Sequence, residues 1–204
     1  NARSLTPPRL SHGRPGLMIG LIRALQLRLQ QARFAEIRLL VLDVDGVLTD
    51  GGLWFDQEGR LQKRFDVRDG LGIRLLQDAG LTIAFLSGGK GGATEVRASQ
   101  LGIEHCLVGI NDKLLALENL QKSLGFTRKQ TAFIGDDLND LAVRSQVSLL
   151  ITPRDACDPI RGQADWVLRS RGGDGAVREA AELLLKSRKK LNEVEKLGWR
   201  DRND

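Results

Sequence analysis

Short apolar runs alternate along the chain with longer segments in which apolar and polar residues recur at helical spacing. The runs that predict strands cover residues 37–42, 81–86, 131–134 and 147–151. They are short and rich in residues that favour strands, as is typical of buried parallel strands. The segments that predict helices cover residues 70–79, 91–101, 112–124, 138–145 and 174–196. This alternation predicts an α/β fold with a doubly wound parallel sheet.

Residues 50–69 interrupt the alternation. Two short runs flank the turn Gln57-Glu58-Gly59, a pattern that predicts a β-hairpin after the first strand. In open α/β sheets the ligand crevice lies at the carboxyl ends of the strands, so we expect this hairpin to overhang the crevice as a small flap. The segment is too short to form a cap domain.

The N-terminal part of the chain divides into two segments. Residues 1–17 contain several prolines and arginines without an apolar period, so they are expected to be disordered. Met18 is the only methionine, which leaves open whether residues 1–17 belong to the natural protein. Residues 18–36 predict a basic amphipathic helix, which we expect to dock ahead of the first strand; a membrane contact or a transit segment is the alternative. Residues 37–196 are then the main domain, and residues 197–204 are a tail.

Positive charge is concentrated at the N-terminus. The chain has 204 residues and a formal net charge of +5, with 31 Lys and Arg against 26 Asp and Glu. Residues 1–36 hold six arginines and one acid, which leaves 25 basic and 25 acidic residues in the rest of the chain. A nucleic-acid-binding domain carries its excess positive charge on the folded body, so no nucleic-acid partner is expected.

The apolar content and the cysteine content limit the class of protein and the cellular compartment that we expect. With 41% apolar and 28% charged residues, the composition is that of a globular domain. No run approaches the roughly 18 consecutive apolar residues of a membrane span, so no stable membrane insertion is expected. Cys106 and Cys157 are too few for a disulfide framework, and no secretory signal pattern is present, which predicts a cytoplasmic protein.

Two acidic clusters follow predicted strands. Asp43 and Asp45 come directly after the first strand, and Asp136, Asp137 and Asp140 follow the third. If these strands are neighbours, both clusters face one crevice, and so much negative charge requires a cation. Carboxylate oxygens without His or Cys favour Mg²⁺. The alternative is that the first cluster is an acidic turn that caps its strand.

Two further features suit a phosphate group. Ser87 and Gly88 follow the second strand and can offer a hydroxyl and backbone N–H groups at the start of a helix. Lys113 opens the helix predicted over 112–124 and can supply a positive charge. Each feature alone is weak, because Ser-Gly-Gly segments are usually loops and lysines are usually solvated. Together with both acidic clusters, they predict a phosphate site.

In chain order, these residues resemble the four motifs of the haloacid dehalogenase superfamily of phosphohydrolases. The motifs are Asp43-x-Asp45-Gly46-Val47, Ser87, Lys113 and Gly135-Asp136-Asp137-x-x-Asp140. Within the superfamily, residues 65–74 and 172–179 resemble the capless 3-deoxy-D-manno-octulosonate 8-phosphate phosphatases. The resemblance implies a Rossmann-like fold with a flap and no cap domain. It also implies a Mg²⁺-dependent enzyme that removes phosphate from that sugar acid.

The same resemblance implies a role for each acidic residue. Asp43 would attack phosphorus and form an aspartyl-phosphate, and Asp45 would act as general acid and then as general base. Mg²⁺ would be held by the carboxylate of Asp43, the backbone carbonyl of Asp45 and the carboxylate of Asp136. Asp137 and Asp140 would orient these groups from the outside.

The remaining matched residues would bind the substrate. Ser87, Gly88 and Lys113 would neutralise the phosphoryl oxygens, and arginines suit the carboxylate of a sugar acid. The residues that would read the sugar acid are Asp66, Val67, Arg68, Asp69, Gly70, Arg74 and Arg97. For Arg97, a solvated charge on a helix is the alternative.

One position departs from the family pattern. The family usually has Arg at the third position of the second motif, where this chain has Gly89, and Lys90 can replace the charge but not the geometry. The preferred substrate is therefore open, and N-acylneuraminate 9-phosphate or a related nonulosonate is the alternative. A phospho-acceptor module and a catalytically weak interaction subunit are the alternatives outside enzymes.

The resemblance also implies a homotetramer in which the flap and the tail of a neighbour cover the crevice. Trp54 and Phe55, near the tip of the flap, suit such an intersubunit contact, although they could instead pack on their own sheet. Residues 172–175 and Arg178 are expected to belong to the tail that reaches a neighbouring site. The alternative is that they begin the last helix.

Overall fold

The structure, a computed structural model, describes residues 15–198. In chain order the strands are β1 (Leu39–Leu42), β2 (Trp54–Phe55), β3 (Leu61–Gln62), β4 (Thr82–Leu86), β5 (His105–Leu107), β6 (Thr131–Ile134), β7 (Leu149–Thr152) and β8 (Trp166–Val167). The helices are α1 (Pro15–Glu36), α2 (Val67–Asp78), α3 (Ala93–Gln100), α4 (Lys113–Leu124), α5 (Asp158–Gln163), α6 (Ala176–Ser187) and α7 (Leu191–Leu197). Segments of 3₁₀ helix cover Arg128–Gln130 and Leu138–Gln146.

A parallel sheet with the strand order β5-β4-β1-β6-β7-β8 organises the fold. In its centre, Leu42 of β1 pairs with Phe85 of β4 on one side and with Ile134 of β6 on the other. The segments that follow these three strands therefore emerge side by side. Chain order reverses on the two sides of β1, which is the point where doubly wound sheets bind ligands. The predicted α/β class and doubly wound sheet are confirmed.

The central strands are buried throughout because helices flank the sheet. Every residue of β1, β6 and β7 is buried. One continuous apolar cluster joins Leu39 and Val41 of β1 and Phe133 of β6 to Leu117 of α4 and Val143 of the 3₁₀ segment. This packing holds the starts of α4 and of the 3₁₀ segment beside the carboxyl end of β1.

Most predicted elements are present with shifted ends. β1, β4, β6 and β7 confirm the predicted strands, and α2 begins at Val67 because the side chain of Asp66 accepts a hydrogen bond from the backbone N–H of Arg68. The closing helix predicted over 174–196 is divided into α6 and α7, and Lys189 between them has φ of 61°. The helix predicted over 138–145 is a 3₁₀ segment. The short elements β5, α5 and β8 lie outside the predicted ones.

The flap contains an antiparallel hairpin, as predicted. Trp54 of β2 pairs with Gln62 of β3, and Phe55 pairs with Leu61. Leu53, Trp54 and Phe55 are 59%, 64% and 65% exposed. The two aromatic residues therefore do not pack on their own sheet.

The chain divides into two compact units, residues 1–31 and residues 32–204. The predicted N-terminal helix is present as α1, which begins at Pro15, three residues before the predicted boundary. Its side chains Leu25 and Leu29 are exposed.

The rest of the predicted leader, residues 1–14, and the end of the predicted tail, residues 199–204, lie outside the described residues. Between residues 15 and 198, no helix combines the length and the apolar character needed to cross a bilayer.

Candidate active site

The loop after β1 carries Asp43 and Asp45 at the carboxyl end of the sheet. The backbone N–H of Asp43 donates to the carbonyl of Ile134 at 2.9 Å, so this residue still belongs to the ladder between β1 and β6. The chain then turns, and the backbone N–H of Thr49 donates to the carbonyl of Val44 at 3.0 Å. Asp43 is buried and Asp45 is half-buried. The turn therefore leaves a buried and a partly accessible carboxylate two residues apart.

Asp136 approaches Asp43 from the loop after β6. Oxygens of Asp43, Asp136 and Asp140 lie within 4.8 Å of one another. Gly46 permits this approach, because a β-carbon at position 46 would overlap Oδ2 of Asp136. The two acidic clusters therefore meet, as their positions at the ends of neighbouring strands predict.

Lys113, the first residue of α4, connects the two clusters. Its Nζ donates to Oδ1 of Asp43 at 2.9 Å and to Oδ1 of Asp140 at 2.6 Å. The side chains of Lys113 and Asp140 are 3% and 0% exposed. The second oxygen of Asp140, Oδ2, accepts from the backbone N–H of Asp136 at 2.9 Å. Asp140 thus holds both the lysine and the loop that carries Asp136 in place.

Burial and the charges of neighbouring carboxylates raise the pKa values of Asp43 and Asp136. Burial, and then the charge of Asp140, raise the pKa of Asp43 to about 6, although Lys113 opposes this shift. Burial, followed by the charges of Asp43 and Asp140, raises the pKa of Asp136 to about 8. Burial lowers the pKa of Lys113, but the nearby Asp43 and Asp140 outweigh it, and the pKa is raised. The negative charge of the site exceeds what this lysine compensates, which favours a bound cation.

The donor set suits a small, hard divalent cation. Among residues 15–198, the one group of side chains placed to share a metal ion is Asp43, Asp136 and Asp140. Carboxylate oxygens favour Mg²⁺ over softer metals. Asp140 already accepts from Lys113 and from the backbone of Asp136, so Asp43 and Asp136 are the freer ligands. Their placement agrees with the predicted metal ligands.

An open crevice of about 250 Å³ lies in front of these groups. Its lining residues are Asp43, Asp45, Ser87, Gly88, Gly89, Asp136, Asp137 and Asn139. Small-molecule sites commonly begin near ~300 Å³, so this volume suits a phosphoryl group better than a whole sugar phosphate. Ser87 is buried, and its Oγ accepts from the backbone N–H of Gly89 at 3.1 Å. Most of the predicted catalytic, metal-binding and phosphate-binding residues thus share this crevice, but Lys113 does not line it; the crevice adds Asn139, which the sequence did not single out.

The residues predicted to read the sugar acid lie outside this crevice. Asp66 caps α2 and forms an ion pair with Arg68 at 2.9 Å, and Arg68 also bonds to Asp174. Asp69 is 1% exposed, and its Oδ1 accepts from the backbone N–H of Arg178 at 2.8 Å. Burial is the largest cause that raises the pKa of Asp69 to about 6. Asp69 thus ties α2 to the start of α6.

The other residues predicted to read the sugar acid lie in α2 or next to it. Gly70 packs against Arg97, whose guanidinium also lies 5.9 Å from the centre of the Phe65 ring. Arg74 donates to the carbonyl of Gln100 at 3.2 Å. Val67 is exposed. The structure therefore does not bring this predicted set to the phosphate end of the crevice of its own chain.

Lys63 is a site residue that the sequence reasoning missed. Its Nζ lies 2.8 Å from the carboxylate oxygens of Asp45 and donates a hydrogen bond to Oδ2. The side chain is 1% exposed. A lysine after a hairpin strand is normally solvated, so no sequence signal distinguishes this one from its neighbour Arg64.

Residues 172–175 pack on the Asp43 loop of their own chain. A β-carbon at Gly172 would overlap the carbonyl of Gly46, and the backbone N–H of Gly173 donates to the carbonyl of Val47 at 3.0 Å. Gly175 is the N-cap of α6. Gly172 and Gly173 are thus needed for close packing on this loop just before the last helix, and a contact of residues 172–175 and Arg178 with a neighbouring site stays a prediction.

Comparisons with known proteins agree with this geometry. The model of a family described as haloacid dehalogenase-like hydrolase matches residues 73–179. Over 159 residues, the chain is 43% identical to 3-deoxy-D-manno-octulosonate 8-phosphate phosphatase KdsC of Yersinia pestis. The match covers 78% of this chain and 85% of that protein.

Solved structures show the same similarity. The Yersinia pestis phosphatase superposes with a TM-score of 0.78 at 42% identity, over 79% of this chain and 88% of that one. The 3-deoxy-D-manno-octulosonate 8-phosphate phosphatase of Moraxella catarrhalis was solved with magnesium, phosphate and a KDO molecule. It superposes with a TM-score of 0.79 at 37% identity, over 81% of this chain and 95% of that one.

Proposed function

This chain belongs to the haloacid dehalogenase-like hydrolases, and on that premise we propose that it is a Mg²⁺-dependent phosphatase acting on 3-deoxy-D-manno-octulosonate 8-phosphate. The observation that carries the proposal is the junction of Asp43, Lys113 and Asp136 at the end of the central strand. The substrate is supported by the identity of 43% to the Yersinia pestis enzyme.

Asp43 and Asp45 perform the two chemical steps. An oxygen of Asp43 attacks phosphorus while the bond from phosphorus to the sugar oxygen breaks, which gives an aspartyl-phosphate. Asp45 donates a proton to the departing sugar oxygen. Asp45 then accepts a proton from the water that attacks phosphorus, which releases phosphate and restores the carboxylate of Asp43. Lys113 fixes Oδ1 of Asp43 for the first step.

The carboxylates of Asp43 and Asp136, with the backbone carbonyl of Asp45, are the groups that would hold Mg²⁺. When bound, the ion offsets the negative charge of the phosphoryl oxygens and of the carboxylates. Burial, and then the charges of Asp43 and Asp140, raise the pKa of Asp136, and a bound cation would offset those neighbouring charges. Asp140 and Asp137 act without binding the ion directly. Asp140 acts through the backbone of Asp136, and Asp137 caps the 3₁₀ segment.

Phosphate binding is assigned to Ser87, Gly88 and Lys113. Ser87 and Gly88 line the crevice opposite the acidic clusters, and Lys113 brings a buried positive charge next to Asp43. A buried ammonium group acts at short range on phosphoryl oxygens because little water screens it. Reading of the sugar acid by residues 66–70, Arg74 and Arg97 stays a prediction.

A substrate panel tests the proposed function. We expect Mg²⁺-dependent release of phosphate, with the highest kcat/KM for 3-deoxy-D-manno-octulosonate 8-phosphate, and lower values for N-acetylneuraminate 9-phosphate and p-nitrophenyl phosphate. Asp43→Asn, which keeps the size of the side chain and removes its nucleophilic oxygen, should abolish turnover of all three. A preference for the nine-carbon substrate would replace the assigned sugar. No turnover of any substrate would favour the interaction subunit or the phospho-acceptor module.

We also propose that the flap contacts a second copy of the chain in a homotetramer. Leu53, Trp54 and Phe55 form a consecutive, exposed apolar segment, and aromatic residues are enriched in interfaces. Light scattering coupled to size exclusion should give four chains per particle, and Trp54→Ser should lower that number. A monomer at micromolar concentration would exclude the assembly.

A cytoplasmic setting belongs to the same proposal. It is supported by the cysteines Cys106 and Cys157, which are both free, as is usual in a reducing compartment. Fractionation of the source cells with an antibody should find the protein with cytoplasmic markers, and recovery with secreted or organelle markers would contradict this.

A further inference from the structure

Lys63 brings a buried positive charge from the flap to Asp45. It follows β3 directly, and its Nζ donates to Oδ2 of Asp45 at 2.8 Å and to Oγ1 of Thr94 in α3 at 3.4 Å. Its side chain is 1% exposed, whereas that of Asp45 is 32% exposed and lines the crevice. Asp45 therefore contacts the lysine and also lines the crevice in which the substrate would bind.

The loop after β4 leaves room for this contact at Gly89. A β-carbon at position 89 would lie 2.9 Å from Oδ2 of Asp45 and 3.5 Å from Nζ of Lys63. A side chain at position 89 would therefore compete with Lys63 for the place beside the carboxylate. With glycine at position 89 this place stays open, and Lys63 of the flap supplies the positive charge beside Asp45.

We infer that Lys63 is a positioning residue that holds Asp45 in the orientation from which it protonates the leaving oxygen. The ammonium group, paired with the carboxylate at 2.8 Å, restricts Asp45 to one orientation. Lys63 thus makes the flap part of the catalytic arrangement without touching the substrate. This inference rests on the proposed function, because it concerns the acid–base residue of that reaction.

Two substrates whose leaving groups differ in acidity can distinguish a loss of positioning of the general acid Asp45 from a general effect on the fold. p-Nitrophenolate departs without protonation, whereas the alkoxide of a sugar does not. For Lys63→Met, kcat/KM for 3-deoxy-D-manno-octulosonate 8-phosphate should fall by about tenfold or more, a part of the 10²–10⁴ that general acid catalysis typically contributes. For p-nitrophenyl phosphate, kcat/KM should change much less. Equal losses on both substrates would overturn the inference.

Lys63→Met in an Asp45→Asn background gives a second, independent test. If the lysine acts through Asp45 alone, removing it from this background should cause no further loss of kcat/KM. A further loss as large as in the wild-type background would overturn the inference. Thermal unfolding of each variant confirms that it is folded at the assay temperature. If Lys63→Met fails this check, Lys63→Arg, which keeps the charge but moves it, should show the same dependence on the leaving group to a smaller extent.

Arg60→Met is the matched control within the flap. Arg60 is exposed and pairs with Asp56 at 2.6 Å and with Glu58 at 2.9 Å, away from Asp45. The control removes the same charge and should leave both kcat/KM values unchanged. A leaving-group dependence equal to that of Lys63→Met would overturn the inference. An inactive wild-type protein would overturn both the proposed function and this inference. An active wild type, with equal losses of kcat/KM on the two substrates in Lys63→Met, would overturn the role of Lys63 alone.

Discussion

Gly46 lies directly against Asp136: a β-carbon at position 46 would overlap Oδ2 of that carboxylate. The φ angle of Gly46 is also positive, at +87°. Gly46→Ala is therefore expected to displace Asp136 and to weaken Mg²⁺ binding by about tenfold or more, as changes around metal ligands commonly do. Isothermal titration of the variant with Mg²⁺ measures this effect.

Gly80→Ala is the control for the backbone strain. Gly80 has nearly the same φ, +82°, but a β-carbon at this position would meet no atom within 4 Å beyond its chain neighbours. This variant should lose about 1–2 kcal/mol of unfolding free energy from strain alone and keep its affinity for Mg²⁺. Equal affinities for Mg²⁺ in the two variants would show that the contact with Asp136 does not matter.

Lys113→Met should strongly destabilise the fold. The buried carboxylates of Asp43 and Asp140 would then face each other without their shared ammonium group. Breaking a buried ion pair in this way typically costs about 3–5 kcal/mol. Urea unfolding at neutral pH measures the loss, and Lys122→Met, on the exposed side of the same helix, should stay within about 0.5 kcal/mol of wild type. A small loss for Lys113→Met would mean that water reaches the pair.

The stability of the Mg²⁺-free protein should fall as pH rises. The pKa values of Asp43 and Asp136, about 6 and about 8, are raised above the usual aspartate value. Between about pH 4 and pH 8 the folded state therefore binds more protons than the unfolded state, which favours folding at the acidic end. Mg²⁺ replaces these protons, so the rise in Tm that Mg²⁺ causes should grow between about pH 5 and pH 8. Thermal unfolding with Mg²⁺ and with EDTA tests this, and a rise that is independent of pH would contradict it.

Asp69→Ala should lower the stability of the fold. Its carboxylate accepts from the backbone N–H of Arg178 at the start of α6, and loss of such a cap costs about 1–2 kcal/mol. Asp69→Asn keeps an acceptor oxygen and should lose less. Chemical denaturation and steady-state kinetics of both variants separate the two roles of this residue. A raised KM with unchanged stability would instead support the sugar contact predicted from the sequence.

The meeting of Asp43 with Asp136, and of both with Ser87 at one crevice, could be predicted because strand ends determine their positions. Asp43 and Asp136 follow β1 and β6, and parallel pairing of these strands places the two loops side by side. Lys113 could be predicted because it opens a helix that packs on the same strands. At these positions, the order of elements along the chain is enough to bring the residues together.

The contacts of Lys63 and Asp69 could not be predicted, because they depend on how one element is oriented on another. Lys63 reaches Asp45 only through the angle at which the flap leaves the sheet. Asp69 is polar and lies in the first turn of α2, which suggests an exposed binding residue, yet packing of α2 on α6 buries it. The division of the closing helix at Lys189 likewise has no proline or glycine to indicate it.

Direct detection of phosphate on Asp43 tests the central claim that this carboxylate is the nucleophile. In Asp45→Asn, p-nitrophenyl phosphate can still transfer its phosphoryl group because its leaving group needs no proton, but the second step lacks its general base. Acid-quenched mass spectrometry during turnover with Mg²⁺ should therefore find one phosphoryl group on the peptide that contains Asp43, and none in Asp43→Asn. No covalent phosphate, or phosphate on a different residue, would contradict the assignment.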